Sequence, residues 1–277
     1  MKDMNNSNYY CVIMAGGVGA RFWPMSNSNT PKQFLDILNE GKTLIQKTFD
    51  RFKKVCPIEN IYIVTSTKYK DITLKQLPEI SEEQVILEPY RRNTAPCIEY
   101  ANQKIKAKNP NAVIVVAPSD HVILKEDAFL HVITEGMQAV AENDWLLTIG
   151  IRPSSPNTGY GYIQYNEDKC YEKNDTIYDV KTFTEKPELE MAKSFIESGD
   201  FLWNAGIFIW SLDTIVSELR EHAGHTAELM DELTPALFSE SETEALSRLF
   251  PQCEKISIDY AVMEKSDSVY VIPGDWN

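Results

Sequence analysis

Gly16, Gly17 and Gly19, followed by Arg21 and Lys32, are the residues of this chain best suited to hold an anion. Glycines let a backbone turn sharply and bring its N–H groups close to a phosphate, because no Cβ intervenes. Arg21 can grip phosphate oxygens with its planar fork, and Lys32 can reach them as a point charge. The apolar, β-favouring run Tyr9–Met14 just before them predicts a buried strand that delivers the loop. Strand, glycine turn and two cations together describe a triphosphate cradle. The spacing lacks the third glycine of a dinucleotide fingerprint, and no Gly-Lys-Ser/Thr closes it as a P-loop would. On the glycines alone, a tight strand-to-helix connection is an equally good reading.

Carboxylates and amides come next. Glu88-Pro89 and Arg92-Asn93-Thr94-Ala95-Pro96 lie between a predicted strand and a predicted helix. Asn93 suits an N-cap there, and Pro96 sits where an early helical turn tolerates it. Asp120, in Pro118-Ser119-Asp120-His121, follows an apolar strand, where a carboxylate can hold Mg²⁺ or merely cap the next segment. His121 is the poorer metal ligand, since Mg²⁺ at phosphates prefers oxygen. Further along stand Thr158-Gly159-Tyr160-Gly161-Tyr162, Glu185-Lys186-Pro187 and Trp203-Asn204-Ala205-Gly206. Taken singly, each is better explained by a surface turn or a satisfied polar group.

Taken together and in order, these segments resemble the sugar-phosphate nucleotidyltransferases, and most closely the mannose-1-phosphate guanylyltransferases. The likeness rests on AGGVGARFWP with PKQ, EPYRRNTAP, APSDHVI, TGYGY, EKP, WNAG and SIDYAVMEK, and it runs from about Tyr9 to Asn277. One departure is Arg91, where the family usually has glycine. The resemblance implies GMP transfer from GTP to mannose 1-phosphate, giving GDP-mannose and pyrophosphate. It places Gly16, Gly17 and Gly19 with Arg21 and Lys32 at the triphosphate, and Glu88, Arg92, Asn93 and Thr94 around guanine and ribose. It places Gly159, Glu185 and Asn204 at the sugar, Lys186 at the sugar phosphate, and Mg²⁺ on Asp120. Arg21, Lys32, Asp120 and Lys186 are then the catalytic set. It leaves room for a homodimer. Alternatives are transfer to another sugar phosphate or from another nucleotide, or a regulatory protein that binds nucleotide-sugar without turnover.

The elements that must position these residues alternate along the first half. Strands are predicted at Tyr9–Met14, Ile61–Thr65, Val85–Leu87 and Val113–Ala117, with helices at Thr43–Val55, Tyr69–Leu77 and Thr94–Ala107. That rhythm implies a Rossmann-like, three-layer α/β/α fold with a mainly parallel mixed sheet and ligands at the strands' carboxyl ends. A helix at Ala128–Glu142 and strands at Trp145–Ile149, Gly161–Tyr165, Ile177–Thr184 and Ile207–Trp210 follow, and Asp213–Leu249 reads as a helical covering or lid layer. Residues 1–8 read as a disordered polar tail and 9–277 as one catalytic domain. Gly274-Asp275-Trp276-Asn277 resembles the start of a family segment whose next residue is a metal-binding aspartate, so the domain is expected to be truncated there.

Composition narrows the class. A formal net charge of −14 over 277 residues argues against a nucleic-acid or anionic-membrane surface, which would need a broad basic face. The five cysteines are scattered without a Cys-x-x-Cys pair, so neither a disulfide framework nor a zinc site is indicated. A polar N-terminus and the lack of a long apolar run point to a protein of the reducing cytoplasm.

Overall fold

Strand β1 (Tyr9–Met14) is buried along almost its whole length, and its side chains alternate between two hydrophobic cores. Tyr10 and Val12 face one core; Tyr9, Cys11 and Ile13 face the other. Burial on both faces is the signature of a central strand with helices on either side. The structure is a computed structural model describing residues 7–17, 30–171 and 174–276.

Among the described residues one mixed sheet of nine strands forms, in the order β3-β2-β1-β4-β8-β5-β9-β7-β6. Strands β2 (Ile61–Ser66), β3 (Val85–Glu88) and β4 (Val113–Pro118) join β1 in parallel, as the alternating pattern requires. Helices α1 (Leu44–Phe52), α2 (Lys70–Gln76) and α3 (Thr94–Lys108) provide the crossovers. At the start of α1, Thr43 and Gln46 form a capping box, with the Thr43 N–H donating to Gln46 Oε1 at 2.9 Å. After α4 (Glu126–Val140) and β5 (Leu146–Ile151) the pairing changes character. Strands β6 (Tyr162–Tyr171) and β7 (Asn174–Thr184) make an antiparallel hairpin. Beyond α5 (Leu189–Ser198), β8 (Phe201–Ser211) lies antiparallel to β4, β5 and β6. The final strand β9 (Val269–Gly274) pairs in parallel with β5. The sheet is therefore mixed as expected, with most of its parallel pairings gathered in one half.

Several local expectations change. The covering layer is α6 (Leu212–His222), α7 (Gly224–Leu233) and α8 (Glu242–Leu249), and it is no loose lid. Leu219, Met230, Leu233 and Leu249 are buried in the same core as Tyr10 and Val12. Burial of each such side chain is worth about 1.5–3 kcal/mol. Trp203-Asn204-Ala205-Gly206, just ahead of the strand predicted at Ile207–Trp210, lies inside β8, beside a bulge between Thr148 and Gly150 of β5. Of the predicted 1–8 tail, residues 1–6 fall outside the described residues. Ser7 and Asn8 are stitched to the body, through Asn60 Nδ2 to the Ser7 carbonyl at 2.9 Å and the Val113 N–H to the Asn8 carbonyl at 2.8 Å.

Candidate active site

Two cavities open along the edge where β1, β3 and β4 end. The smaller, of about 360 Å³, lies between the glycine loop and the β3–α3 connection. Gly16, Gly17, Glu88, Asn93 and Thr94 line it, together with Arg91 and Lys255. A Cβ on Gly16 would stand 2.5 Å from Glu88 Oε1, so any side chain there would displace that carboxylate. Gln33 props the base of the loop, its buried Nε2 donating to the Ala15 carbonyl at 2.8 Å and the Gly17 carbonyl at 2.9 Å. Glu88 is buried, and Cys97 Sγ donates to its Oε2 at 3.1 Å. Burial raises its carboxyl pKa, against the Cys97 hydrogen bond and the charge of Arg91. Asn93 caps α3 at φ +67°, its Oδ1 accepting from the Thr94 N–H at 2.9 Å. Thr94 Oγ1 in turn accepts from the Ile258 N–H at 2.9 Å.

Arg92, expected beside the base, is used elsewhere. Its guanidinium donates to the Pro251 carbonyl, and Arg91 occupies the cavity wall in its place. Gly19 and Arg21 lie outside the described residues.

The larger cavity, of about 590 Å³, is bounded by Lys32, Asp120, Gly159, Glu185 and Asn204. Asp120 follows β4 directly, its side chain 40% exposed, with Lys32 Nζ 3.5 Å from Oδ2. His121 lines the wall beside it, and burial lowers its pKa. Gly161 also lines the cavity, and a Cβ there would press into Glu185 Oε2 and come within 3.2 Å of Asn204 Cβ. Lys186 has left-handed backbone, φ +48°, which turns the chain after β7. Its ammonium pairs with Glu185 rather than lining the wall itself. Burial opposes the charge on Lys186, but its hydrogen bond to Glu185 and the nearby acids outweigh it and raise the pKa.

Asp259 is the wall residue that sequence reasoning passed over. It sits in SIDYAVMEK, and its Oδ1 accepts from Asn204 Nδ2 at 2.8 Å. Burial, reinforced by the charge of Glu185, pushes its carboxyl up to about 6. The segment was visible in the sequence; its pairing with Asn204, 55 residues away, was not. Asp275 points outward to Lys125 at 3.2 Å, while Trp276 beside it packs edge-on against Phe129 and lines the cavity. Among the described residues no cluster of three or more His, Cys, Asp or Glu side chains forms a metal cage.

A mixed sheet whose parallel half carries a glycine loop after its first strand, with two cavities along one edge, is a frame suited to handling nucleotides. The nucleotidyl transferase family model matches residues 10–248, and the chain belongs to that family. It is 36% identical to a mannose-1-phosphate guanylyltransferase of Escherichia coli K12, across 98% of this chain and 57% of that protein. The chain thus spans little more than half the length of the curated relatives it matches. Among solved structures, one described as mannose-1-phosphate geranyltransferase from Thermus thermophilus aligns with TM-score 0.84 and 29% identity, over 98% of this chain and 75% of that one. Another, described as mannose-6-phosphate isomerase from Helicobacter pylori, aligns with TM-score 0.79 and 25% identity over 98% of both chains. No helix among the described residues is long and apolar enough to cross a membrane.

Proposed function

We propose that this chain transfers GMP from GTP to mannose 1-phosphate, releasing pyrophosphate and forming GDP-mannose. The observation that carries the reading is the pair of cavities along one sheet edge, one at the glycine loop and one at Asp120, Glu185 and Asn204. The names of the relatives supply the substrates.

The smaller cavity receives the nucleoside. Glu88 and Asn93 offer acceptors and donors for a purine edge, and Gly16 and Gly17 allow close approach of the phosphates. The larger cavity receives the sugar phosphate, with Glu185 and Asn204 toward hydroxyls and Lys186 toward phosphate. A phosphate monoester has its second pKa near about 6, so at neutral pH it is already largely a dianion and needs no base. One of its oxygens bonds to the α-phosphorus of GTP while the bond from that phosphorus to the bridging oxygen breaks, and pyrophosphate departs with the electron pair. Repulsion between the anions is the main obstacle. Lys32 and Arg21 offset it and align the reactants.

Asp120 suits Mg²⁺ in character: an oxygen donor at a strand end, half exposed, already facing a cation in Lys32. Magnesium sites at phosphates use one or two carboxylates and take their other ligands from substrate and water. When bound there, the ion would neutralise triphosphate charge.

Pyrophosphate release across a matrix of nucleoside triphosphates and sugar 1-phosphates tests the proposal. GTP with mannose 1-phosphate should be the preferred pair. Preference for another pair reassigns the substrates. Conversion of mannose 6-phosphate in the same samples without pyrophosphate release would overturn the reaction itself.

A further inference from the structure

The amide of Asn204 is held at three points. Its Oδ1 accepts from Thr148 Oγ1 at 3.1 Å and from the Gly206 N–H at 3.0 Å, and its Nδ2 donates to Asp259 Oδ1 at 2.8 Å. A side-chain amide carries two N–H donors, so one remains for whatever enters the cavity. Turning the amide over would set its oxygen against the Asp259 carboxylate and its nitrogen against the Gly206 N–H. Both contacts oppose the flip, while the Thr148 hydroxyl, also 3.2 Å from the Ile207 carbonyl, can donate or accept.

Asp259 opens a π turn, Asp259–Met263, closed by the Glu264 N–H donating to the Asp259 carbonyl at 2.9 Å. In an α-helix, residues five apart point about 140° away from each other. The wider π turn brings them toward one face, and such turns are frequent at functional sites. Here that leaves Asp259 on the cavity wall and sets Glu264 against the turn beside it. Glu264 Oε1 accepts from the Glu185 N–H at 2.8 Å, while the Tyr260 hydroxyl donates to the Glu185 carbonyl at 3.4 Å. One short segment therefore grips both Asn204 and the turn that carries Glu185.

We propose that Asp259 and Glu264, aligned by the π turn, are positioning residues for the sugar phosphate: Asp259 fixes the end of the Asn204 amide that faces substrate, and Glu264 fixes the Glu185–Lys186 turn. The inference rests on the reading of the larger cavity as the sugar-phosphate pocket. Neither residue is asked to touch the reacting phosphorus.

Steady-state kinetics of Asp259→Ala, Asp259→Asn, Glu264→Ala and Glu264→Gln test it, with each substrate varied separately and mannose 1-phosphate binding followed by calorimetry. Both alanine variants should raise KM for mannose 1-phosphate by about tenfold or more, with KM for GTP held within about twofold. The amide variants keep a carbonyl acceptor and should recover most of the loss. Equal damage to both substrates, or an amide variant no better than its alanine counterpart, overturns the positioning role. If Asp259→Ala does not fold, Thr148→Val reads the same amide from its other end and should show the same one-sided KM rise; normal kinetics there overturns the proposal. Wild-type turnover judges the substrate reading separately. A wild-type chain that binds mannose 1-phosphate without turnover leaves the calorimetric comparison to decide this inference, and one that does neither overturns both.

Discussion

The two cavities are held together by different means. The smaller is built at the ends of parallel strands, where each βα connection sets down its residues consecutively: Gly16-Gly17 after β1, and Glu88 through Thr94 after β3. The larger collects short runs from just after β4, from the approach to β6 and from within β8, and adds Glu185 after β7 and Asp259 from the π turn. In a parallel sheet the carboxyl ends line up and local sequence suffices. In an antiparallel region neighbouring strands run oppositely, so a site must be assembled across the sheet. The stretch from Lys255 to Glu264 links the two. Lys255 lines the smaller cavity, the Ile256 carbonyl accepts from the Ala95 N–H at 3.2 Å, and Asp259 and Glu264 brace the larger.

Removing the carboxylate read as the metal ligand should have the largest effect. Asp120→Ala should lower turnover by orders of magnitude and abolish its response to Mg²⁺, with an unchanged circular dichroism spectrum. A strand-end carboxylate that is 40% exposed contributes little to the core. An Asp120→Ala enzyme with normal Mg²⁺ dependence would remove Asp120 as the metal ligand.

Lys186→Ala should act on one cavity only. Loss of a charge-assisted contact costs about 1.5–3 kcal/mol, or about ten- to a hundredfold in kcat/KM for mannose 1-phosphate. KM for GTP should stay near its wild-type value. Matched losses for both substrates would erase the division of labour.

Two glycine substitutions sharpen the comparison from opposite sides. In Gly16→Ala the new methyl displaces the Glu88 carboxylate, so KM for GTP should rise by about tenfold. In Gly161→Ala it displaces Glu185, so KM for mannose 1-phosphate should rise by a similar factor. The experiment is a crossed pair of titrations, and a crossover in the wrong sense exchanges the assignments.

The smallest effect on turnover should come from Glu99→Gln, which touches neither cavity. Glu99 is buried in α3, accepting from Gln103 Nε2 at 2.9 Å and Asn102 Nδ2 at 3.3 Å, and burial pushes its carboxyl from 4.5 up to about 7. An acid whose pKa is raised on folding holds its proton more tightly in the native state. Its stability contribution is therefore present at low pH and lost as pH rises from about 4.5 through 7. Glutamine removes the charge and, with the Asn102 amide turned over, can donate to Asn102 Oδ1, which is buried without a partner. Thermal melts should show Glu99→Gln more stable than wild type at pH 8 by about 2–3 kcal/mol, and nearly equal at pH 5. Equal stability at both pH values would mean that Glu99 carries no buried charge.

The same contrast explains what could be read from the sequence. Tyr9–Met14 was found at its observed bounds, because a short apolar run ending in glycines permits few other readings. EPYRRNTAP likewise announced the β3–α3 turn, although which of its two arginines faces the cavity depends on the reach of Pro251, 159 residues away. Strand β9 went unpredicted, since Val269–Gly274 is short and ends in Pro-Gly. Asn204 was singled out by type and neighbours, but its strand setting and its grip by Thr148 and Asp259 are tertiary facts. Sequence marks residues; pairing across the sheet decides which way they point.

The most direct test of the two-cavity account is a structure of the protein bound to GDP-mannose and Mg²⁺. The guanine should lie against Glu88 and Asn93, and the mannose should meet the remaining N–H of Asn204 beside Glu185. Guanine in the larger cavity, or mannose outside it, would contradict the account.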